Sequence, residues 1–466
     1  METDYLVIGA GAMGLAFADE LLTRSDAHIT LVDKRHAPGG HWNDAYSFVR
    51  LHQPSVFYGV ESKELAQYRL DESGPNRGFL SLAEGPEILS YFHSLVRERF
   101  IPSGRVKFLP LHEVTADGSL RSLLSRERVP LVVRKKVVDA SYLTNTIPKT
   151  HTRRFEVADG VTCVPPNDLP QQCASFRRFT VLGAGKTGLD ACCWLLENGA
   201  PPDAIRWIVP RDSWFLNRAT TQPGEEFFVQ TFGTFAAARE ALAQATSAGD
   251  YAHRMEAVGA WLRLDPDIEP RMFHGATVSE GELEELRRIR DVVRLGRVRR
   301  IESDRLVLEG GELAAQPGTL YIDCTAGALS RPDPKPVFAG DRITLQMLRY
   351  PQFTFSAALI AFLEATLQTD EEKNRFSAAL RIPDTVEQYL AQLVADGSNR
   401  DACNRHPAVR AWASASRTEG FRRILQTVKP TDTEKVAILN RLRDASKAVE
   451  QNLPRLLATL DATALA

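Results

Sequence analysis

A chain of 466 residues is long enough to form two or more packed units with ample core. With 44% hydrophobic and 25% charged residues it has the balance of a soluble globular protein, and a net charge of -2 supplies no broad electrostatic reason to bind nucleic acid or an anionic membrane. Six cysteines, at 163, 173, 192, 193, 324 and 403, show no CxxC pair and no metal-ligand spacing, so no metal site is expected and a reduced, cytoplasmic protein is.

The acidic start, Met1-Glu-Thr-Asp4, leads directly into a strand and is unlike a secretory signal. Residues 5–22 are apolar enough to imitate a short membrane span, but three glycines and Asp19-Glu20 argue against one. The run Tyr5-Leu-Val-Ile8 enters a Gly9-x-Gly11-x-x-Gly14 turn, followed by helical periodicity over residues 15–22. Gly9 permits the sharp strand-to-helix turn, Gly11 lets a pyrophosphate approach the backbone, and Gly14 lets helix and strand pack closely. A second strand, Ile29–Asp33, then ends in an acid able to bind a ribose.

Lys34 opens a loop that carries Gly39-Gly40-His41-Trp42, and Arg50, His52 and Gln53 form a polar cluster before Pro54. Apolar spacing predicts a helix over 87–100, and strands follow over 106–109 and 130–139, the second expected as a hairpin partner or sheet edge. The basic run Arg134-Lys-Lys136 reads as solvated. Residues 160–177, rich in proline and without periodicity, read as a linker.

The opening pattern then returns. Phe179-Thr-Val-Leu-Gly183-Ala-Gly185-Lys186-Thr187-Gly188 precedes a helix over 189–196 and a strand over 204–209 that closes at Pro210-Arg211-Asp212. Gly185-Lys186-Thr187 imitates a phosphate-binding P-loop, but that motif needs a glycine where Thr180 stands. Residues 234–295 read as helices beyond what a βαβ unit needs, forming a lid or an interface. Strands resume at 292–295, 298–301, 306–308 and Thr319–Gly327, then comes Gly340-Asp341, and the chain is mostly helical from about 353.

Two dinucleotide fingerprints in one chain imply electrons passing between a pair of dinucleotides. The chain resembles the two-dinucleotide-binding-domain flavoproteins, and within them the flavin-containing monooxygenase-like group. The resemblance rests on Gly9, Gly11, Gly14 and Asp33, on the GG-x-W loop at Gly39–Trp42, on Gly183, Gly185 and Gly188, and on the ATG-like strand Asp323–Gly327; it covers roughly residues 1–345. It implies an α/β fold with two Rossmann-type domains, the NAD(P) domain inserted in the FAD domain, and additional C-terminal helices. The corresponding divisions are residues 1–165 and 316–466 for FAD and 175–315 for NAD(P).

The resemblance also implies that the first turn, Asp33, Lys34, Gly40 and Trp42 bind FAD, and that Gly340-Asp341 holds the ribityl chain. The second turn, with Lys186 and Thr187, would hold the nicotinamide cofactor. Arg211 can pair with a 2′-phosphate and points to NADPH; Asp212, next in sequence, offers the opposite preference. Lys186 and Arg218 could add charge at the phosphates. His41, Arg50, His52 and Gln53 are the candidate catalytic residues.

The activity implied is oxygenation of a small molecule with NADPH and dioxygen through a C4a-peroxyflavin. Alternatives are a flavin reductase or dehydrogenase without oxygen insertion, or a nucleotide or redox sensor. The group's F-x-G-x-x-x-H fingerprint is absent from residues 166–178, and the disulfide reductases' cysteine pair is missing, because Cys192 and Cys193 are adjacent on a helix and diverge.

Overall fold

In a computed structural model, the structure describes residues 1–460. The apolar strand Glu2–Ile8 lies inside a six-stranded sheet in the order Phe338–Ala339, Arg342–Thr344, Val132–Asp139, Glu2–Ile8, Ile29–Asp33, Val106–Pro110. Every pairing is parallel except that of Phe338–Ala339 with its neighbour. A parallel sheet is covered on both faces, hence the mostly apolar, buried character of Tyr5–Ile8 and Ile29–Asp33. The helix Ala12–Arg24 packs against Phe353–Thr366, which is apolar on all sides and is buried from Thr354 to Leu363.

Val132–Asp139 is not the expected edge or hairpin strand; it is paired in parallel on both sides. Only Val138 along it is fully buried, so its side chains read as a surface strand although its backbone is interior.

The second sheet is wholly parallel, in the order Cys163–Val164, Thr319–Asp323, Arg178–Leu182, Ile205–Ile208, Asp291–Val293. It is inserted in the chain between Val132–Asp139 and Arg342–Thr344 of the first sheet. The expected divisions after 165 and at 316 both cut through it: Cys163–Val164 and Thr319–Asp323 pair with each other, and the chain regains the first sheet only at Phe338. The stretch read as a linker contains that short strand and a helix, Leu169–Gln172, with a proline in its first turn where no backbone N–H is needed.

The expected run of helices over 234–295 is interrupted. Met272–Val278 is a strand parallel to Ser213–Asn217, which also pairs antiparallel with Trp261–Leu262. Phe228–Gln244 is helical and lies along the C-terminal helix Thr433–Leu457, where the Asn452 amide donates to the carbonyls of Leu242 and Ala245 at 2.9 Å each. Insertion and C-terminus thus form one helical body. No helix among the described residues is long and apolar enough to cross a membrane.

Candidate active site

The two glycine turns are built alike. Gly9 has φ +108°, and a Cβ there would lie 3.4 Å from the Ala140 carbonyl, just beyond the neighbouring strand. Gly183 has φ +113°, and its Cβ would lie 2.7 Å from the Cys324 carbonyl oxygen. A Cβ on Gly14 would lie 2.0 Å from the Gly9 oxygen, and one on Gly188 2.2 Å from the Gly183 oxygen. In both units the missing side chains let the helix N-terminus close on the strand end, leaving backbone N–H groups free for an anion.

The turns differ in cover. Gly39 and Gly40, at φ +118° and +59°, fold a loop over the first, and a Cβ on Gly40 would lie 2.8 Å from the Gly11 Cα. Over the second, a Cβ on Gly185 would meet nothing within 4 Å.

Asp33 is buried at the end of its strand, accepting the Ala10 N–H on one oxygen and the Arg35 N–H on the other, both at 2.7 Å. Each oxygen keeps a lone pair for a ribose hydroxyl. Lys34 is exposed and 3.5 Å from Glu113. The Trp42 indole N–H donates to the Tyr58 hydroxyl at 2.9 Å.

In the second unit Arg211 is exposed on the cleft wall, and its guanidinium has no hydrogen-bond or ion-pair partner among the described residues; the same holds for Arg297 nearby. Asp212 resolves the competing reading of this segment, because its buried carboxylate faces Arg294 at 2.9 and 3.2 Å and is not offered to a ribose. Lys186 is matched by Asp190 and by Glu282 at 3.1 Å. Burial opposes its charge, but the two carboxylates outweigh burial and hold its pKa above the ordinary lysine value. Arg218 does not reach the phosphates: it is 1% exposed, paired with Glu282 at 2.6 Å and donating to the Thr277 carbonyl at 3.2 Å.

Both turns open on one cleft of ≈ 1850 Å³. Gly9, Gly11, Asp33, Lys34, Gly40 and Trp42 line it from the first unit; Gly183, Gly185, Lys186, Thr187 and Arg211 line it from the second. Gly14 and Gly188 act from behind, through packing. Ten Lys and Arg line the cleft against four Asp and Glu, a cationic concentration suited to polyanionic ligands in a chain of net charge -2.

His41, Arg50, His52 and Gln53 all face the cleft. The Asn145 amide donates to His41 Nδ1 at 2.7 Å, which places the ring proton on Nε2. Burial, with Arg35 nearby, lowers the His41 pKa to about 4; burial and the Lys186 ammonium lower that of His52 to about 4 as well. Both rings are therefore neutral near pH 7. Arg50 stands at the rim in a half-exposed pair with Glu84 at 3.0 Å.

Gly340 and Asp341 do not join the site. They are exposed, form the turn of the edge hairpin before Arg342–Thr344, and the Gly340 N–H donates to Asp370 at 2.7 Å. The glycine turns stand at the C-terminal ends of the parallel strands, whereas this turn precedes one.

Several cleft residues carried no sequence signal. His151 lines the wall, fixed there by Asp323 behind it, which accepts from His151 Nε2 at 3.1 Å and Arg153 Nε at 3.3 Å. Asn145 lies in the two-residue strand Asn145–Thr146 and Tyr58 between two short elements, neither with a periodic sequence pattern. Among the described residues no group of three or more His, Cys, Asp or Glu could hold a metal ion.

An NAD(P)-binding Rossmann-like domain model matches residues 7–61. Among solved structures, ε-caprolactone-bound cyclohexanone monooxygenase in its Loose conformation is similar over 96% of this chain and 99% of that one, with a TM-score of 0.51 and 13% identity. The two chains share a fold, two Rossmann-type units of which the second is inserted in the first. Over 466 residues the chain is 44% identical to the uncharacterized protein Rv2000 of Mycobacterium tuberculosis and to Mb2023 of Mycobacterium bovis, covering 99% of its own length and 86% of theirs. It belongs to the family of these mycobacterial proteins.

Proposed function

We propose that the protein is a flavin-dependent oxidoreductase that holds FAD on the first glycine turn, draws hydride from NADPH on the second, and oxygenates a small molecule with dioxygen. The observation that carries this reading is the pair of like-built glycine turns opening on a single cationic cleft. The residues fit the cofactors. Gly9, Gly11 and Gly40 line the cleft where a pyrophosphate would meet the first turn, and Asp33 has lone pairs for a ribose. The unpartnered Arg211 and Arg297 match a 2′-phosphate, while Asp212 is engaged elsewhere.

FAD, when bound, supplies the hydride acceptor and the centre at which dioxygen is activated. The chain supplies alignment and a polar edge. Neutral His41 holds an Nε2–H donor, fixed by Asn145, at the cleft wall. Neutral His52 stands between the units, close to Lys186 of the second turn. The Gly39–Gly40 loop covers the first turn against water.

Purified protein should be yellow and release FAD, and NADPH under nitrogen should bleach it. Admitting oxygen with a panel of amines, sulfides, amino acids and ketones should raise NADPH consumption for a substrate class, with one oxygen atom found in product. Colourless protein that takes up no FAD overturns the reading. Reoxidation that yields only hydrogen peroxide across the panel replaces oxygenation with simple dehydrogenation.

A further inference from the structure

The wall of the cleft beside Trp42 carries a hydroxyl-bearing ring, Tyr58. Tyr58 accepts the Trp42 indole N–H at 2.9 Å, and its own proton has no acceptor among the described residues. Tyr91, which does not line the cleft, is the contrast: its hydroxyl accepts the Val60 N–H at 2.8 Å and donates to the Lys63 carbonyl at 2.7 Å, so both roles are filled. Burial pushes the Tyr58 phenol pKa up, so the group keeps its proton at neutral pH.

The backbone around Tyr58 is held by a segment far away in sequence. Arg417, 7% exposed, donates from Nε to the Val60 carbonyl at 2.9 Å, from Nη1 to Val56 at 2.7 Å and from Nη2 to Tyr58 at 2.5 Å. Glu61 accepts the Ser416 hydroxyl at 2.6 Å and the Arg417 N–H at 3.0 Å. On the other side Glu419 pairs with buried Arg349 at 3.0 Å, and its carbonyl accepts the Gln352 amide at 2.7 Å. Arg349 and Gln352 flank Tyr350 and Pro351, which also line the cleft. One C-terminal strap therefore ties two walls of the cleft together.

We propose that Tyr58 donates its hydroxyl hydrogen bond to a carbonyl or ring-nitrogen acceptor of the flavin bound beside Trp42, and that Arg417 is the positioning residue that sets it there. The inference rests on the proposed FAD site, because Trp42 lies on the loop that closes over the first glycine turn. A planar guanidinium fork clasping three carbonyls of one loop fixes that loop more rigidly than a lysine could.

Titration of cofactor-free protein with FAD, read by absorbance and flavin fluorescence, tests this. Tyr58→Phe should weaken FAD binding about tenfold, the weight of one hydrogen bond, and shift the bound flavin's absorption. It should also change the Trp42 emission of cofactor-free protein, isolated by difference against Trp42→Phe. Arg417→Lys should weaken FAD binding in the unmodified background and add nothing in the Tyr58→Phe background. Unchanged affinity and spectrum in Tyr58→Phe overturn the proposal, as does an equal loss from Arg417→Lys in both backgrounds, the mark of a merely structural role. Unmodified protein that binds no FAD overturns the FAD site itself and the inference with it, an outcome distinct from a normal unmodified protein beside a normal Tyr58→Phe.

Discussion

The Tyr46 hydroxyl, on the loop after the first glycine turn, donates to Asp190, on the helix after the second, at 2.7 Å. Asp190 also binds Lys186, which in turn reaches Glu282 and through it Arg218. A single polar chain thus begins in one nucleotide unit and ends deep in the other. Lys186, at a position that suggests phosphate binding, is instead a member of this chain. Lys186→Met should lower stability by about 3 kcal/mol, because it leaves buried carboxylates unmatched, while changing the NADPH dissociation constant less than threefold. Denaturant unfolding and NADPH titration check the two parts; a large affinity loss without destabilisation would contradict this placement.

Within the proposed reading, Arg211 and Arg297 carry the choice of nicotinamide cofactor. Arg211→Ala and Arg297→Ala should each weaken NADPH by about tenfold to a hundredfold, in line with the loss of a charge-assisted hydrogen bond, and leave NADH nearly unaffected. Asp212→Asn should cost stability by weakening the Arg294 pair without altering that preference. Equal loss of both cofactors in the arginine variants refutes a 2′-phosphate role.

The glycine turns can be separated by mirror substitutions. In Gly188→Ala the new methyl would meet the Gly183 carbonyl at 2.2 Å, and in Gly14→Ala the Gly9 carbonyl at 2.0 Å, so neither turn can close unchanged. Gly188→Ala protein should stay yellow but resist bleaching by NADPH, whereas Gly14→Ala protein should lose FAD. Absorbance of the purified variants decides. Asp341→Ala, by contrast, should retain full FAD occupancy, since the turn that holds Asp341 lies outside the cleft.

His41 and His52 make stability fall in acid. Both pKa values sit near about 4 in the folded chain, below the ordinary 6.5, so the unfolded chain takes up protons first as pH drops. Their contribution is complete above about pH 6.5 and is lost as pH falls towards about 4. The loss should be about 1–2 kcal/mol each, allowing for water in an open cleft. Denaturant midpoints at pH 7.5 and 5.0 should converge in His52→Gln relative to the unmodified chain; an unchanged gap would remove His52 from the account.

The parts of this molecule that were legible from sequence are those in which the backbone dictates residue type. A tight strand-to-helix turn demands glycines at fixed spacing, so both turns, and the acid Asp33 that ends the next strand, can be read directly. Where partners distant in the chain decide a role, local pattern was silent. Nothing near Asp212 announces Arg294, nothing near Lys186 announces Glu282, and the segment around Arg417 has no periodicity at all. Gly340-Asp341 misled because two residues match a motif more easily than they match a place. Thr319–Asp323 reads as a strand from its sequence, yet which of two parallel sheets receives such a strand depends on long-range pairing, which composition does not record.

The unequal cover of the two turns has a kinetic meaning. A dinucleotide held on the first turn as proposed is flanked by the Gly39–Gly40 loop and leaves slowly, while one on the uncovered Gly185 turn has no such flank. Within the proposed reading, FAD would remain through many cycles as a prosthetic group, and the nicotinamide nucleotide would come and go as a consumed reactant. The difference in residence time is written in the placement of one glycine pair.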